Sequence, residues 1–192
     1  MRDRTAGVFV GVVFAVFAVL AAARPASAQS ETEHASISAG YQLVHIPNKT
    51  FPWGIGVDVA LPLRINAWAL VGEFDWAHDS RNEANGTTAV NFFNFGGGLR
   101  WSRTHHGAKP YAQLLLGATH STANLRDASN PTGTRAADTT GFMLQPGIGV
   151  AAPFGRKWSG VVQGDYRRSF FSGEGENELR LFVGLRRAIH GA

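Results

Sequence analysis

Residues 68–76 read WALVGEFDW, and this stretch decides the fold class. Charged Glu73 and Asp75 belong to one phase of an alternating pattern. The large apolar side chains of the other phase are Trp68, Leu70, Phe74 and Trp76. Because successive side chains of a β-strand point to opposite faces, the stretch predicts a strand with one apolar and one charged face.

The same period of two recurs along the chain after residue 30, over segments of about nine to fourteen residues. Clusters of Asn, Gly, Pro, Asp and Ser separate the segments, as expected for turns. The pattern predicts eight strands, at about 34–46, 54–63, 66–77, 88–102, 109–120, 140–153, 157–170 and 177–188.

The gaps between these strands alternate in length. The first, third, fifth and seventh gaps are mostly long and polar, and they cover 47–53, 78–87, 121–139 and 171–176. The gaps between them are mostly shorter. Barrels of the outer membrane have long loops on the outside and tight turns in the periplasm. We therefore predict an all-β fold, an eight-stranded antiparallel up-and-down transmembrane β-barrel with both termini in the periplasm.

An export signal precedes the predicted barrel. Residues 1–4 are basic, 7–23 form an apolar run, and Ala26-Ser27-Ala28 fits a small-x-small cleavage site. We predict export through the Sec pathway, cleavage after Ala28, a signal peptide at 1–28 and a barrel domain at 29–192. The host is then a Gram-negative bacterium. A retained membrane anchor is the alternative, and the cleavage motif argues against it.

The polar phase of the strands carries charges of both signs. These are Asp58, Glu73, Asp75, Arg100, Asp165, Arg167, Glu178, Arg180 and Arg186. Eight strands enclose an interior just wide enough for side chains to fill, and buried charges persist only when they are paired. We predict that the five acids and four arginines pair and plug the lumen. A solvated channel lined by the same groups is the alternative.

All five tryptophans fall near the ends of predicted strands. In the predicted orientation Trp53 and Trp76 mark the outer rim, and Trp68, Trp101 and Trp158 mark the periplasmic rim. Two such aromatic girdles are typical of barrels anchored at both membrane interfaces. Packing in the core of a soluble protein is the alternative explanation.

The closing hairpin carries a resemblance to a known family. It runs from GDYRRSF at 164–170 to NELRLFVGL at 177–185, and Lys109-Pro110-Tyr111 and the glycine-rich 147–150 fit the same pattern. Over roughly residues 30–189 the chain resembles the small eight-stranded outer-membrane β-barrels, the OmpA/OmpX-like group that includes porin-family and opacity-type surface proteins. The resemblance implies an outer-membrane location.

A soluble lipocalin-like ligand binder is the strongest structural rival, because its strands alternate with the apolar face turned inward. A water-facing sheet should carry lysine freely. After the signal the only lysines are Lys49, Lys109 and Lys157, which lie in predicted loops or at strand starts. This distribution favours the membrane barrel.

Composition excludes several other classes. The chain has no cysteine, which excludes disulfides, thiolate metal sites and cysteine nucleophiles. Removing residues 1–28 lowers the net charge from +4 to +2, and no segment concentrates Lys and Arg. We therefore expect no nucleic-acid partner.

Catalytic and metal sites have weak support. His78-Asp79-Ser80 and His120-Ser121 contain the residue types of a hydrolase, but adjacent side chains on an extended chain point apart. His105-His106, with His190 on the same side, lacks an acidic or cysteine partner. We expect no catalytic residue, no metal and no cofactor.

The sequence thus predicts a non-enzymatic, monomeric outer-membrane protein with a structural role in the envelope. Its expected partners are outer-membrane lipids and lipopolysaccharide, together with an unknown extracellular partner that contacts loops 78–87 and 121–139. A small porin-like pore, a lipid-A-modifying enzyme and the soluble ligand binder remain as alternatives.

Overall fold

The computed structural model describes residues 34–47, 49–65, 67–83, 86–127, 134–171 and 175–189. The predicted signal peptide lies outside these residues. In the described part of the chain the strands are β1 (Ala35–Ile46), β2 (Lys49–Phe51), β3 (Trp53–Pro62), β4 (Trp68–Glu83), β5 (Gly86–Ser102), β6 (Lys109–Asp127), β7 (Thr134–Pro153), β8 (Trp158–Phe170) and β9 (Gly175–Ile189). None of the described residues belongs to a helix long and apolar enough to cross a membrane.

The sheet closes on itself. From β3 to β9 each strand pairs antiparallel with the next, and β1 pairs with both β3 and β9. The seam between β1 and β9 runs from the pair Ala35 and Ile189 to the pair His45 and Leu179. Apart from the short β2, this is the predicted eight-stranded up-and-down barrel, and the prediction is confirmed.

The strands β1 and β9 approach each other closely at a pair of glycines. Gly40 lies opposite Gly184, and a Cβ atom added to Gly184 would stand 2.5 Å from the carbonyl oxygen of Ala39. Because real Cβ atoms do not come so close to backbone, only glycine fits at this point of the seam.

The first predicted gap, 47–53, contains a short strand instead of an open loop. β2 pairs with the end of β1, and β3 continues along the same edge of β1. The register of the two pairings differs by one residue, and Pro52 stands between β2 and β3. Proline has no N–H to give to the ladder, so the chain accommodates it as a bulge.

Two outer hairpins are longer than predicted. β4 and β5 remain paired up to Glu83 and Gly86, and β6 and β7 up to Arg126 and Thr134. The prediction of loops over 78–87 and 121–139 is therefore wrong for most of both ranges. Above the membrane both faces of a strand are polar, so the hydrophobic alternation ends while the backbone hydrogen bonds continue.

Side chains alternate between the lumen and the outer surface. On β8, Gln163, Asp165 and Arg167 are buried, whereas Tyr166 and Phe170 are exposed. The other barrel strands place most large apolar side chains outward and most charged side chains inward, and a smaller set of apolar side chains is also buried in the interior. A soluble lipocalin-like barrel needs the reverse arrangement, so the structure argues against that alternative.

Candidate functional site

Arg167 lies at the centre of the lumen and is fully buried. Its Nη2 is paired with Asp75 Oδ2, its Nη1 lies 3.2 Å from Glu178 Oε2, and its Nε donates to Gln145 Oε1 at 2.7 Å. Asp75 comes from β4, Gln145 from β7 and Glu178 from β9. One guanidinium therefore joins four strands across the interior of the barrel.

Arg180 forms a second junction one layer below. Its Nη1 lies 3.0 Å from Glu73 Oε1 and 2.8 Å from Asp165 Oδ2, and its Nε donates to Gln42 Oε1. Gln145 Nε2 also donates to Glu73 Oε1, at 2.8 Å, which links this junction to Arg167.

Neutral side chains complete the coordination of the acids. Asn94 and Gln42 donate to Asp75 Oδ1 at 2.8 and 2.9 Å, and Ser169 donates to Glu178 Oε1 at 2.8 Å. None of these three residues is among the nine that the sequence predicted for the lumen network. They could have been predicted by looking for amide or hydroxyl side chains in the inward phase that lie level with a charged residue on the next strand.

A separate group of charges lies nearer the periplasmic end. Arg100 Nη2 stands 3.1 Å from Asp58 Oδ1, and Arg100 Nε and Nη2 donate to Gln113 Oε1 at 2.9 and 2.7 Å. The predicted ninth member, Arg186, donates from Nε to Ser38 Oγ at 3.0 Å. Among the described residues it forms no ion pair with a carboxylate.

The nine predicted residues therefore divide into two groups of unequal formal charge. The upper group has a net charge of −2 and consists of Glu73, Asp75, Asp165, Glu178, Arg167 and Arg180. The lower group, Asp58, Arg100 and Arg186, has a net charge of +1. Gln113 bridges them, since it accepts from Arg100 Nη2 at 2.7 Å and donates to Asp165 Oδ1 at 3.4 Å.

An apolar cluster occupies the lumen above the upper group. It consists of Val44, Ile46, Phe51, Ala77 and Phe92. The rings of Phe51 and Phe92 meet edge to face with centroids 5.0 Å apart. Sequence reasoning missed this cluster, because Phe51 was assigned to a loop. It lies at the outer end of the lumen, beyond the layer of Asp75.

Two of the three tryptophans of the predicted periplasmic girdle are neighbours, and the third lies on a more distant strand. Trp68 and Trp101 face each other across β4 and β5. Trp158 lies at the start of β8, opposite Arg187, whose guanidinium stands 5.6 Å from the indole centroid. Trp53 lies at the start of β3, with its ring 6.5 Å from that of Tyr41.

Trp76 does not lie at a strand end, because β4 continues to Glu83. It faces Ile55, two residues beyond Trp53 on β3, and so lies close to the level of Trp53. Trp68 and Trp76 are eight residues apart, about 27 Å along an extended strand and about 21 Å after a tilt of about 40°. That height is close to the apolar band of an outer-membrane barrel.

A belt of polar side chains follows the outer girdle on the outward face. His78 Nδ1 donates to Asn91 Oδ1 at 2.9 Å, and Asn91 Nδ2 donates to Thr122 Oγ1 at 3.5 Å. On the next pair of strands His120 and Thr140 are hydrogen-bonded at 2.9 Å. We call these five residues the polar belt. They mark the level at which the outward face stops being apolar.

The candidate catalytic runs are divided between opposite faces. His78 belongs to the outward polar belt, whereas Asp79 is buried inside and lies 3.2 Å from Lys49 Nζ. His105 and His106 stack edge to face in the periplasmic turn, and His190 lies outside the described residues. Within the described ranges no three His, Cys, Asp or Glu side chains are grouped to hold a metal ion.

Comparison with known families assigns the barrel. The model described as the outer membrane protein beta-barrel domain matches residues 12–185. The chain belongs to this family. It is an outer-membrane β-barrel protein, as the closing hairpin and the strand pattern predict. A comparison with curated proteins finds no match.

Solved structures share the same fold. The attachment invasion locus protein Ail of Yersinia pestis is 19% identical, with coverage of 81% of this chain and 99% of that chain and a TM-score of 0.57. Ail in complex with the heparin analogue sucrose octasulfate is similar at 20% identity, the same coverage and a TM-score of 0.59. Neisserial surface protein A is 12% identical, with coverage of 81% and 96% and a TM-score of 0.60. At these identities the similarity shows the fold alone.

Proposed function

We propose that this protein is a non-enzymatic structural barrel of the outer membrane whose lumen is closed to solutes. The observation that carries the proposal is the fully buried Arg167 of β8, which binds two acids and one amide from three other strands across the interior. The apolar cluster that includes Phe51 and Phe92 supports closure on the outer side. At the level of Arg167, paired charges with satisfied hydrogen bonds leave neither room nor free ligands for a hydrated ion.

Single-channel recording in planar lipid bilayers tests closure. We expect no steady openings from the folded wild-type barrel. The double variant Arg167→Ala, Arg180→Ala removes both junctions and should open frequently. Arg168→Ala, which changes an exposed outward residue, is the matched control and should stay closed. Steady, large openings of the wild-type protein would overturn the proposal and favour the porin-like pore.

The non-enzymatic role is supported by the positions of His78 and Asp79, which lie on opposite faces of β4. The test is mass spectrometry of lipid A after incubation with the folded protein. We expect an unchanged lipid A mass. A new mass that depends on the protein and disappears in His78→Ala would instead establish a lipid-A-modifying enzyme.

Export with cleavage after Ala28 belongs to the same proposal, and the basic, apolar and small-residue pattern of residues 1–28 supports it. The intact mass of the protein extracted from outer membranes should correspond to a chain that starts at Gln29. Size-exclusion chromatography with light scattering should give a monomer. A protein that retains residue 1, or one found in the soluble periplasm, would contradict this.

A surface role is supported by the polar belt and the two long hairpins. The belt lies just above the aromatic level, where the sugars and phosphates of the outer leaflet supply hydrogen-bond donors and acceptors. We infer that the belt contacts lipopolysaccharide, and that the hairpins over 78–87 and 121–139 present a surface to an extracellular partner.

Folding in vesicles with and without lipopolysaccharide tests the lipid contact. We expect lipopolysaccharide to raise the temperature at which the heat-dependent SDS mobility shift occurs. In the double variant Asn91→Ala, His120→Ala that increase should shrink by more than half. A variant shortened at both hairpin tips should keep the increase, because the belt is intact. An equal increase in wild type and double variant would refute the contact.

A further inference from the structure

The periplasmic end of the barrel contains a cavity of about 350 Å³. It lies where the strands end on that side, and its wall includes Ser36, Pro62, Ser102, Ser159 and Ala188. The volume is at the lower end of the range of small-molecule sites. The periplasmic turns form its outer edge, so the cavity opens toward the periplasm.

The wall of this cavity is strongly cationic. Its basic side chains are Arg100, Lys109, Arg156, Lys157 and Arg186. None of its described lining residues is Asp or Glu. Such a concentration of one sign in a concave site raises the local concentration of anions.

Arg100 supplies a binding atom from deep in the wall. The residue is only 2% exposed, and its Nε and Nη2 are engaged by Gln113 and Asp58. Its Nη1 is buried and has no hydrogen-bond partner among the described residues. A buried guanidinium nitrogen without an acceptor is costly, and an anionic ligand would satisfy it.

Arg186 supplies a second binding atom. Its Nε donates to Ser38, and its Nη2 is buried without a hydrogen-bond partner in the part of the chain that the structure describes. The guanidinium carbons of Arg100 and Arg186 lie 4.5 and 5.0 Å from the ring centroid of Tyr111. Both guanidinium groups therefore lie beside the same ring, with Asp58 as the one carboxylate of the lower group.

We propose that this cavity is a binding site for a small periplasmic solute that bears a phosphate or carboxylate group. Arg100 Nη1 and Arg186 Nη2 donate to the oxyanion, and Lys157 and Arg156 at the turn add charge attraction. Both oxyanions have acceptor oxygens that suit guanidinium donors. The size of the cavity favours a small organic anion over a bare ion.

The site binds its ligand but does not transport it through the lumen. Tyr111 and Phe182 are buried in one apolar cluster beside the cavity, and Arg180 and Glu73 close the lumen above it. The site is thus independent of whether the outer hairpins meet a partner. It adds a periplasmic binding activity to a barrel proposed to be structural.

Isothermal titration calorimetry of the folded full-length barrel in a zwitterionic detergent tests the proposal. Inorganic phosphate and succinate are titrated separately at constant ionic strength, with sodium chloride as the reference. We expect saturable binding of at least one of them. Tighter phosphate binding would identify a phosphorylated solute, and tighter succinate binding a carboxylate. Binding should weaken as salt is raised.

Variants distinguish a built site from general charge attraction. Arg186→Gln should weaken binding about tenfold or more, since it removes a charge-assisted hydrogen bond. Lys157→Gln, at an exposed turn, should weaken it about threefold and leave folding intact. Arg103→Gln removes the same charge at the same end outside the cavity wall and should change affinity less than twofold.

Two results would overturn the proposal. One is the absence of saturable heat with either anion in a wild-type barrel that shows the heat-dependent SDS shift. The other is an equal loss of affinity in Arg103→Gln and Lys157→Gln, which would reduce the effect to net charge. The SDS shift of every variant establishes that it is folded.

Discussion

Replacement of Arg167 by Met should destabilise the barrel far more than the same replacement at the next residue, Arg168. The two side chains are neighbours on β8 but point to opposite faces. Arg167 is fully buried between Asp75 and Glu178, whereas Arg168 is exposed and donates to Asn177 at 2.9 Å. Because both variants replace an arginine by methionine, the difference between them measures the contribution of the buried position in the lumen.

The magnitude follows from the groups left behind. Without Arg167, Asp75 keeps Gln42 and Asn94 as donors but loses its closest charge, and Glu178 keeps only Ser169 among these contacts. Removing one partner of a buried ion pair costs about 3–5 kcal/mol. Loss of the exposed hydrogen bond and ring contact of Arg168 should cost less than about 1 kcal/mol.

Urea titration in phospholipid vesicles, read by tryptophan fluorescence and by the folded band in SDS, measures both free energies of unfolding. The triple variant Arg167→Met, Asp75→Asn, Glu178→Gln should regain at least half of the lost stability, because no unpaired charge remains. Equal destabilisation by the two single variants, or no recovery in the triple variant, would refute the view that the lumen charges stabilise one another.

Three further variants test other parts of the barrel. Gly184→Ala should destabilise the barrel by about 1–3 kcal/mol, because the added Cβ would meet the backbone of β1. Gly164→Ala has open space around the added Cβ and should be tolerated. Urea midpoints compare the two variants. Phe51→Ala removes a 1% exposed ring from the outer cluster and should cost about 3–5 kcal/mol in the same assay. Leu116→Arg, midway along the lipid-facing side of β6, should lower the free energy of unfolding by about 2–4 kcal/mol. Thr140→Arg, in the polar belt, should lower it by about 0–1 kcal/mol. Equal losses of stability would contradict the assigned membrane level.

The barrel could be predicted from the sequence because apolar and polar residues alternate along each strand. In WALVGEFDW each residue is assigned to a face by counting, and in the structure Glu73 and Asp75 are buried while Leu70 and Phe74 are exposed. The same reasoning ended strands too early. β6 continues to Asp127 although its apolar alternation stops near His120, because hydrogen-bonded pairing does not require an apolar face.

The alternating pattern does not predict which charged side chains contact each other in the lumen. Arg180 and Glu73 are separated by 107 positions along the chain, and their contact depends on the register of the strands between them. Counting charges gave five acids and four arginines in near balance, whereas the structure divides them into an acidic upper group and a basic lower group. The periplasmic cavity follows from that division.

The sequence by itself determined the faces and the order of the strands, because both depend on local periodicity and on the cost of placing charge in lipid. The tertiary structure alone decided the register of β1 against β9, the partners of Arg167 and the two unpartnered guanidinium nitrogens of Arg100 and Arg186. These depend on the register and curvature of a closed sheet, which set distances of a few ångströms between residues far apart in the chain.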